Sequence, residues 1–232
     1  MRLLFPDFVC IGAQKAGTTW LFNQLVECPE VCIPKKECNY LSLTTKSIKK
    51  YTEMYKHCAR NSLLGDISPY YATQSFIANY LYSVNPNTRI IFLIREPVSR
   101  AFSQYRMAQT AGRIPKNVSF LGAFRRNLQF MKRRGCYLEV LREYEKAGFT
   151  AENMLLLPFE WISQTPDVLL DHVDKFLGIE VPKNKSIMVK SFASATHGAK
   201  PPESEAARIK KWYIKQNKGL EEYLWWSPEW LA

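Results

Sequence analysis

The chain has 232 residues, enough for a single α/β domain (1–232) with a core that needs no covalent staple. Hydrophobic residues make up 47%, which excludes a disordered chain, and no apolar run reaches membrane-spanning length. Lys and Arg number 32 against 21 Asp and Glu, a net charge of +11 that points to an anionic partner without selecting nucleic acid.

The first element is Phe8-Val9-Cys10-Ile11, a short apolar run ending at Gly12, which reads as a buried strand. Trp20-Leu21-Phe22, Leu25 and Val26 then recur at helical spacing. Leu63–Ile67 suggests a second strand, stopped by Ser68-Pro69. Arg89–Arg95 is the clearest strand, apolar on both faces as a central parallel strand should be. Pro97 suits the first helical position, and Val98–Met107 follows as a helix. Met154–Leu157 is a fourth strand, closed by Pro158. Helical patterns cover Ile77–Val84, Phe120–Arg133, Tyr137–Lys146, Pro166–Leu177 and Ser204–Leu224. Strands alternating with helices give a central parallel sheet flanked by helices on both faces.

The short basic runs Lys132-Arg133-Arg134 and Lys210-Lys211 read as solvated helix faces. No helix-turn-helix or other standard nucleic-acid motif is visible. None of the six cysteines forms a CxxC pair, and Cys28 and Cys32 lack a partner pair at zinc spacing. They read as buried free thiols, with a disulfide expected only in an exported protein. Met1–Phe5 is too short for a signal peptide, so a cytoplasmic protein is expected, with the soluble domain of a Golgi-type enzyme as the alternative.

Between the first strand and its helix runs Gly12-Ala13-Gln14-Lys15-Ala16-Gly17-Thr18-Thr19. A glycine-bounded loop opening a helix aims backbone N–H groups and a positive dipole end at an anion. Thr18 and Thr19 add hydroxyls, and Lys15 adds a cation. The loop lacks the Gly-Lys-Ser/Thr of nucleotidases, and the best strand ends in Arg95 where a magnesium-holding Asp would stand. A plain strand–turn–helix with a surface lysine is the bland alternative. A second anion site answers it. Arg95-Glu96-Pro97-Val98-Ser99-Arg100-Ala101-Phe102-Ser103 puts a planar guanidinium at the carboxyl end of the central strand and a hydroxyl in the helix after it.

Gln14–Trp20 resembles the 5′-phosphosulfate loop of the sulfotransferases that use 3′-phosphoadenosine-5′-phosphosulfate (PAPS). Arg95–Ser103, followed by Tyr105, resembles their 3′-phosphate motif. Lys36–Leu41 resembles the acidic catalytic segment of the heparan-sulfate type, and Asp66–Tyr71 their substrate segment, with Ile67 where that type usually has Lys. Gly135–Tyr137 and Leu156–Glu160 match weaker late blocks. The catalytic Lys-x-x-His of the cytosolic branch is not matched by His57, His172 or His197.

The resemblance implies a sulfotransferase with PAPS as donor, 3′-phosphoadenosine-5′-phosphate (PAP) as product and no metal. It implies a hydroxyl or amine acceptor on a carbohydrate or small metabolite, and no nucleic-acid or membrane partner within this chain. Lys15 is the candidate for neutralising charge on the bridging oxygen, a donor worth ~3 kcal/mol of barrier. Glu37 is the candidate base, worth about 10²–10⁴-fold, with surface pairing to Lys35 or Lys36 as the alternative. Asp66 stands in reserve, with a helix or turn cap as its alternative. Lys15, Ala16, Gly17, Thr18, Thr19, Arg95 and Ser103 are the expected donor-binding residues. Trp20 resembles an adenine-stacking tryptophan, with a buried core aromatic on an apolar helix face as the alternative. Tyr137 is a further candidate nucleotide contact, and Lys200 is a candidate to close over the phosphosulfate, with a flexible surface lysine as the alternative. The rivals are a magnesium-dependent P-loop kinase or NTPase, and a polyanion-binding module without chemistry.

Overall fold

The computed structural model describes residues 4–42, 47–183 and 200–231. Five parallel strands form its sheet: β1 (Phe8–Gly12), β2 (Val31–Cys32), β3 (Leu63–Ile67), β4 (Arg89–Ile94) and β5 (Met154–Pro158), in the order β2-β3-β1-β4-β5. β1 and most of β4 are buried along their length, as apolar sequences inside a sheet covered by helices must be. The two-residue β2 escapes a reading by periodicity because it is too short to show any. Its pairing with β3 (Val31 with Leu63, Cys32 with Leu64) makes it an edge strand.

The helices are α1 (Thr18–Leu25), α2 (Ile48–Glu53), α3 (Ser75–Val84), α4 (Pro97–Thr110), α5 (Phe120–Arg125), α6 (Tyr137–Ala147), α7 (Trp161–Gln164), α8 (Pro166–Leu177) and α9 (Glu203–Gln216). Two run shorter than periodicity suggests. The expected Phe120–Arg133 helix stops at Arg125, because Asn127, Gln129 and Phe130 all take left-handed φ near 50–57°. The expected Ser204–Leu224 helix stops at Gln216, with Gly219 at φ 99 and a 3₁₀ turn over Leu220–Tyr223.

The chain leaves β1 toward the β2–β3 side and leaves β4 toward β5, so β1 and β4 are neighbours whose connections diverge. That divergence opens a crevice at their carboxyl ends, where open α/β sheets bind ligands. A second apolar cluster braces this end. Phe102 and Tyr105 of α4 pack with Phe120 and Phe124 of α5 and with Ile209 and Tyr213 of α9. Arg100, fully buried beside this cluster, donates from Nη2 to Met131 O (2.8 Å) and from Nη1 to Gln104 Oε1 (2.8 Å).

Candidate active site at the carboxyl edge of β1 and β4

The loop after β1 is shaped by its sheet neighbour. The β1–β4 register shifts between Cys10 and Gly12. Ala13 N–H still donates to Leu93 O (2.9 Å), and Ala16 N–H turns back to Ala13 O (3.0 Å). Lys15 then takes φ 71 and Gly17 φ 93. A β-carbon on Gly17 would collide with Ile162 Cδ1 and lie 3.2 Å from Phe159 Cδ2, so this position needs glycine for room as well as for conformation. Gly17 is the N-cap of α1 and offers no side-chain cap. The first-turn amides of Thr18, Thr19 and Trp20 have no helical carbonyl ahead of them and lie at the positive end of the dipole.

Arg95 follows β4 directly. Its Nη1 donates to the Lys15 carbonyl (2.9 Å), and its guanidinium lies over the Phe159 ring, 4.2 Å from the centroid. The Tyr137 hydroxyl donates to the Arg95 carbonyl (2.7 Å). Two segments 80 residues apart in sequence therefore form one continuous edge. The Lys15 pKa is lowered, chiefly by burial, then by the Arg95 charge, with Glu37 pulling the other way. Burial likewise lowers that of Arg95. Cations held close in a partly dry crevice, beside first-turn amides and a loop that excludes a β-carbon, fit a multiply charged phosphate ligand.

The acidic segment reaches this edge through Lys36, which the sequence suggested only as a surface partner of Glu37, a pairing the structure contains. Lys36 Nζ donates to Thr19 Oγ1 (2.7 Å) and lies 3.5 Å from Glu37 Oε1. Glu37 is anchored by its backbone, N–H to Ile67 O (2.9 Å), with φ 54, and its side chain is 42% exposed. A carboxylate on a fixed backbone, open to solvent and next to the loop, can meet an acceptor.

Asp66, the reserve base, cannot do so as the chain stands. It is 1% exposed. Its Oδ2 accepts from Tyr51 (2.6 Å) and Tyr71 (2.8 Å), its Oδ1 from Ser68 (2.6 Å), and the Cys38 thiol lies 3.4 Å away. It is the hub of a buried network. Its location at the end of β3, beside a turn rich in Tyr and Ser, was the only sequence signal of this.

The remaining predicted residues divide. Ser103 lies nearly buried on α4, the helix that Arg95 introduces. Trp20 is 1% exposed in the core, leaving no ring face open for a base, and Tyr137, fully buried, donates to the Arg95 carbonyl. An apolar helix face explains the first; the second was not legible, because Tyr137 and Arg95 are distant in sequence. Lys200 is exposed and lines a cavity of about 570 Å³ with Phe102, Tyr105, Arg106 and Glu205. His197 lies outside the described residues.

The basic run Lys132-Arg133-Arg134 is not a plain solvated face. Arg133 pairs with Glu143 (2.8 Å) and Glu139 (3.4 Å). Arg134 turns inward: Nη1 donates to Gln14 Oε1, and its guanidinium lies 5.3 Å from the Tyr70 ring centroid. Burial and the Arg100 charge bring its pKa down to about 10. The cysteines also differ from expectation. Cys10, Cys28 and Cys136 are buried thiols, but Cys32 and Cys58 form a disulfide.

The fold is an open parallel α/β sheet, and this edge gathers cations and first-turn amides of the kind an anion needs. The sulfotransferase domain family matches residues 5–220, and the chain belongs to that family. It is 34% identical over 108 residues to the membrane-associated sulfotransferase kil1 of Dictyostelium discoideum, covering 44% of this chain and 23% of that protein. It is 26% identical over 190 residues to human heparan sulfate glucosamine 3-O-sulfotransferase 6, covering 77% of this chain and 54% of that one. The chain thus spans about half the length, or less, of these curated relatives. Among solved structures, a sulfotransferase from Alicyclobacillus acidocaldarius superposes with TM-score 0.81 at 21% identity, over 98% of this chain and 99% of that one. Mouse sulfotransferase SULT7A1 complexed with PAP superposes with TM-score 0.54 at 18% identity, over 94% and 82%. These likenesses establish the fold.

Proposed function

We propose that this sulfotransferase takes its sulfonyl group from PAPS and passes it to a hydroxyl of an anionic or polyhydroxylated acceptor of carbohydrate type. The observation that supports the donor half is the Arg95–Lys15 hydrogen bond, which brings the two candidate anion-binding segments to one edge. Lys15, the first-turn amides and Thr18 hold the 5′-phosphosulfate end. Arg95 and Ser103 take the 3′-phosphate, with Tyr137 fixing the Arg95 backbone. The bond that breaks joins sulfur to the bridging oxygen. Lys15 and Thr19 neutralise charge growing on that oxygen more in the transition state than before it. Glu37 takes the acceptor proton as the new oxygen–sulfur bond forms, and Lys36 ties it to Thr19.

Beside the loop lies a cavity of about 220 Å³ lined by Gln14, Tyr70, Gln104, Arg113, Gln129 and Arg134. Amide groups, a phenol and two guanidiniums suit hydroxyls and carboxylate or sulfate groups. This supports the carbohydrate reading, as does the likeness to a heparan sulfate enzyme. Among the described residues no helix is long and apolar enough to cross a membrane. The Cys32–Cys58 disulfide favours an oxidising compartment of Golgi type over the cytoplasm.

The test compares thermal stabilisation by PAP with that by ATP plus magnesium. A ligand at about 100 times its Kd adds roughly 2.7 kcal/mol of stability. PAP should stabilise the chain and ATP should not, and Arg95→Ala should abolish the PAP effect. Stabilisation by magnesium-ATP alone would replace this reading with a kinase-type one.

A further inference from the structure

Cys32, His57 and Cys58 converge on the edge of the sheet away from the loop. Their sulfur and nitrogen atoms all lie within 4.8 Å of one another, and Cys32 Sγ is 3.8 Å from His57 Nε2. The two cysteines are half-buried and the histidine is exposed. We propose that these three side chains are a redox-gated metal site: a disulfide when oxidised, and a Cys2His site for one soft divalent cation, zinc by chemistry, when reduced.

Two sulfurs and an imidazole are a donor set for zinc, and three protein ligands at a half-exposed position leave a fourth place for water. Backbone contacts to β3 hold both ligand-bearing segments in addition to the S–S bond. Cys32 is held by the pairing of β2 with β3, Cys32 opposite Leu64. The turn bearing His57 and Cys58 is held by Cys58 N–H to Tyr55 O (3.0 Å), and buried Tyr55 donates to Gly65 O of β3 (3.3 Å). One strand thus positions both halves. A dithiol reductant supplies two electrons and two protons, giving two thiols and its own disulfide. Metal binding then releases the two thiol protons. Disulfide and metal exclude each other, because both use the same sulfur lone pairs. Of the other thiols, Cys10, Cys28 and Cys136 are buried, and Cys38 is taken up by Asp66.

The proposal does not rest on the sulfotransferase reading, and its test needs no turnover. The full chain is reduced anaerobically with a phosphine, freed of it, and titrated with cobalt(II). One equivalent should bind with a thiolate-to-cobalt charge-transfer band, and zinc should displace it. The unreduced chain should show no band. Cys32→Ser should abolish it. His57→Ala, at an exposed residue that leaves the disulfide intact, should weaken cobalt binding by more than about tenfold. No band in the reduced chain, the same band in Cys32→Ser, or an unchanged Kd in His57→Ala would each overturn the site. So would loss of near-ultraviolet circular dichroism on reduction, since β3 would then not be holding the ligands.

Discussion

Glu37 and Asp66 are both carboxylates near the loop, yet Asp66 is buried among hydroxyls while Glu37 is open to solvent. Removing the Asp66 carboxylate leaves three buried hydroxyls without their acceptor, so Asp66→Ala should cost about 3–5 kcal/mol in a denaturant titration. Glu37→Gln should leave that titration unchanged and lower kcat by about 10²–10⁴-fold. If Glu37→Gln destabilises and leaves turnover intact, its role is structural. Lys15 gives the pH dependence. Burial and Arg95 favour its neutral form, so its charge is complete below the depressed pKa and is lost as pH rises through it, earlier than for an ordinary lysine. PAP affinity should therefore fall on the alkaline side below the usual lysine range. That limb should move to higher pH in Lys15→Arg, measured by titration across pH. At this scale the sequence was informative where chemistry is local: Lys15, Glu37 and Arg95 each stand in a short motif. Trp20, Tyr137 and Asp66 were less legible, because burial by distant elements decides what each can touch. Arg134 was hidden for the opposite reason, since an arginine in a basic run looks solvated until its partners are known.

The loop and α1 work as one element, and Gly17 is where they join. A side chain there meets Ile162 and must also hold φ near 93. Gly17→Ala should lower stability by ~1–3 kcal/mol and weaken PAP binding more than in proportion, with Ile162→Ala relieving the collision but not the backbone strain. Equal losses in stability and affinity would mean the loop tolerates the shift. The strands after which the site is built, β1 and β4, were legible because an apolar run between breakers has few other solutions. Helix ends were less so: Asn127 and Gln129 turn left-handed inside a pattern that remains amphipathic, and periodicity does not register a change of hand.

For the molecule as a whole, the disulfide closes a sequence separation of 26 residues that contains α2 and the Lys36–Glu37 segment. Loop entropy sets its contribution at about 3 kcal/mol, so reduction should lower the unfolding midpoint in denaturant accordingly. A midpoint unmoved by reduction would mean that β2–β3 pairing alone holds this edge. The pairing of Cys32 with Cys58 was not readable from spacing, because it depends on a two-residue strand that carries no pattern of its own.

The hydrogen bond from Arg95 to the Lys15 carbonyl also bears on how a reaction cycle would end. Sulfonyl transfer removes only the sulfonyl group, and PAP keeps both of its phosphates, so on the donor assignment proposed above both ends of the spent nucleotide would still be held. Because Arg95 is hydrogen-bonded to the Lys15 carbonyl, any coupling between the two ends would by reciprocity slow departure from either while the other is filled. With PAPS as donor, release of the nucleotide is then expected to pace turnover. A burst of one product per chain before the steady state is the measurement that checks it, and a linear time course from the start would count against it.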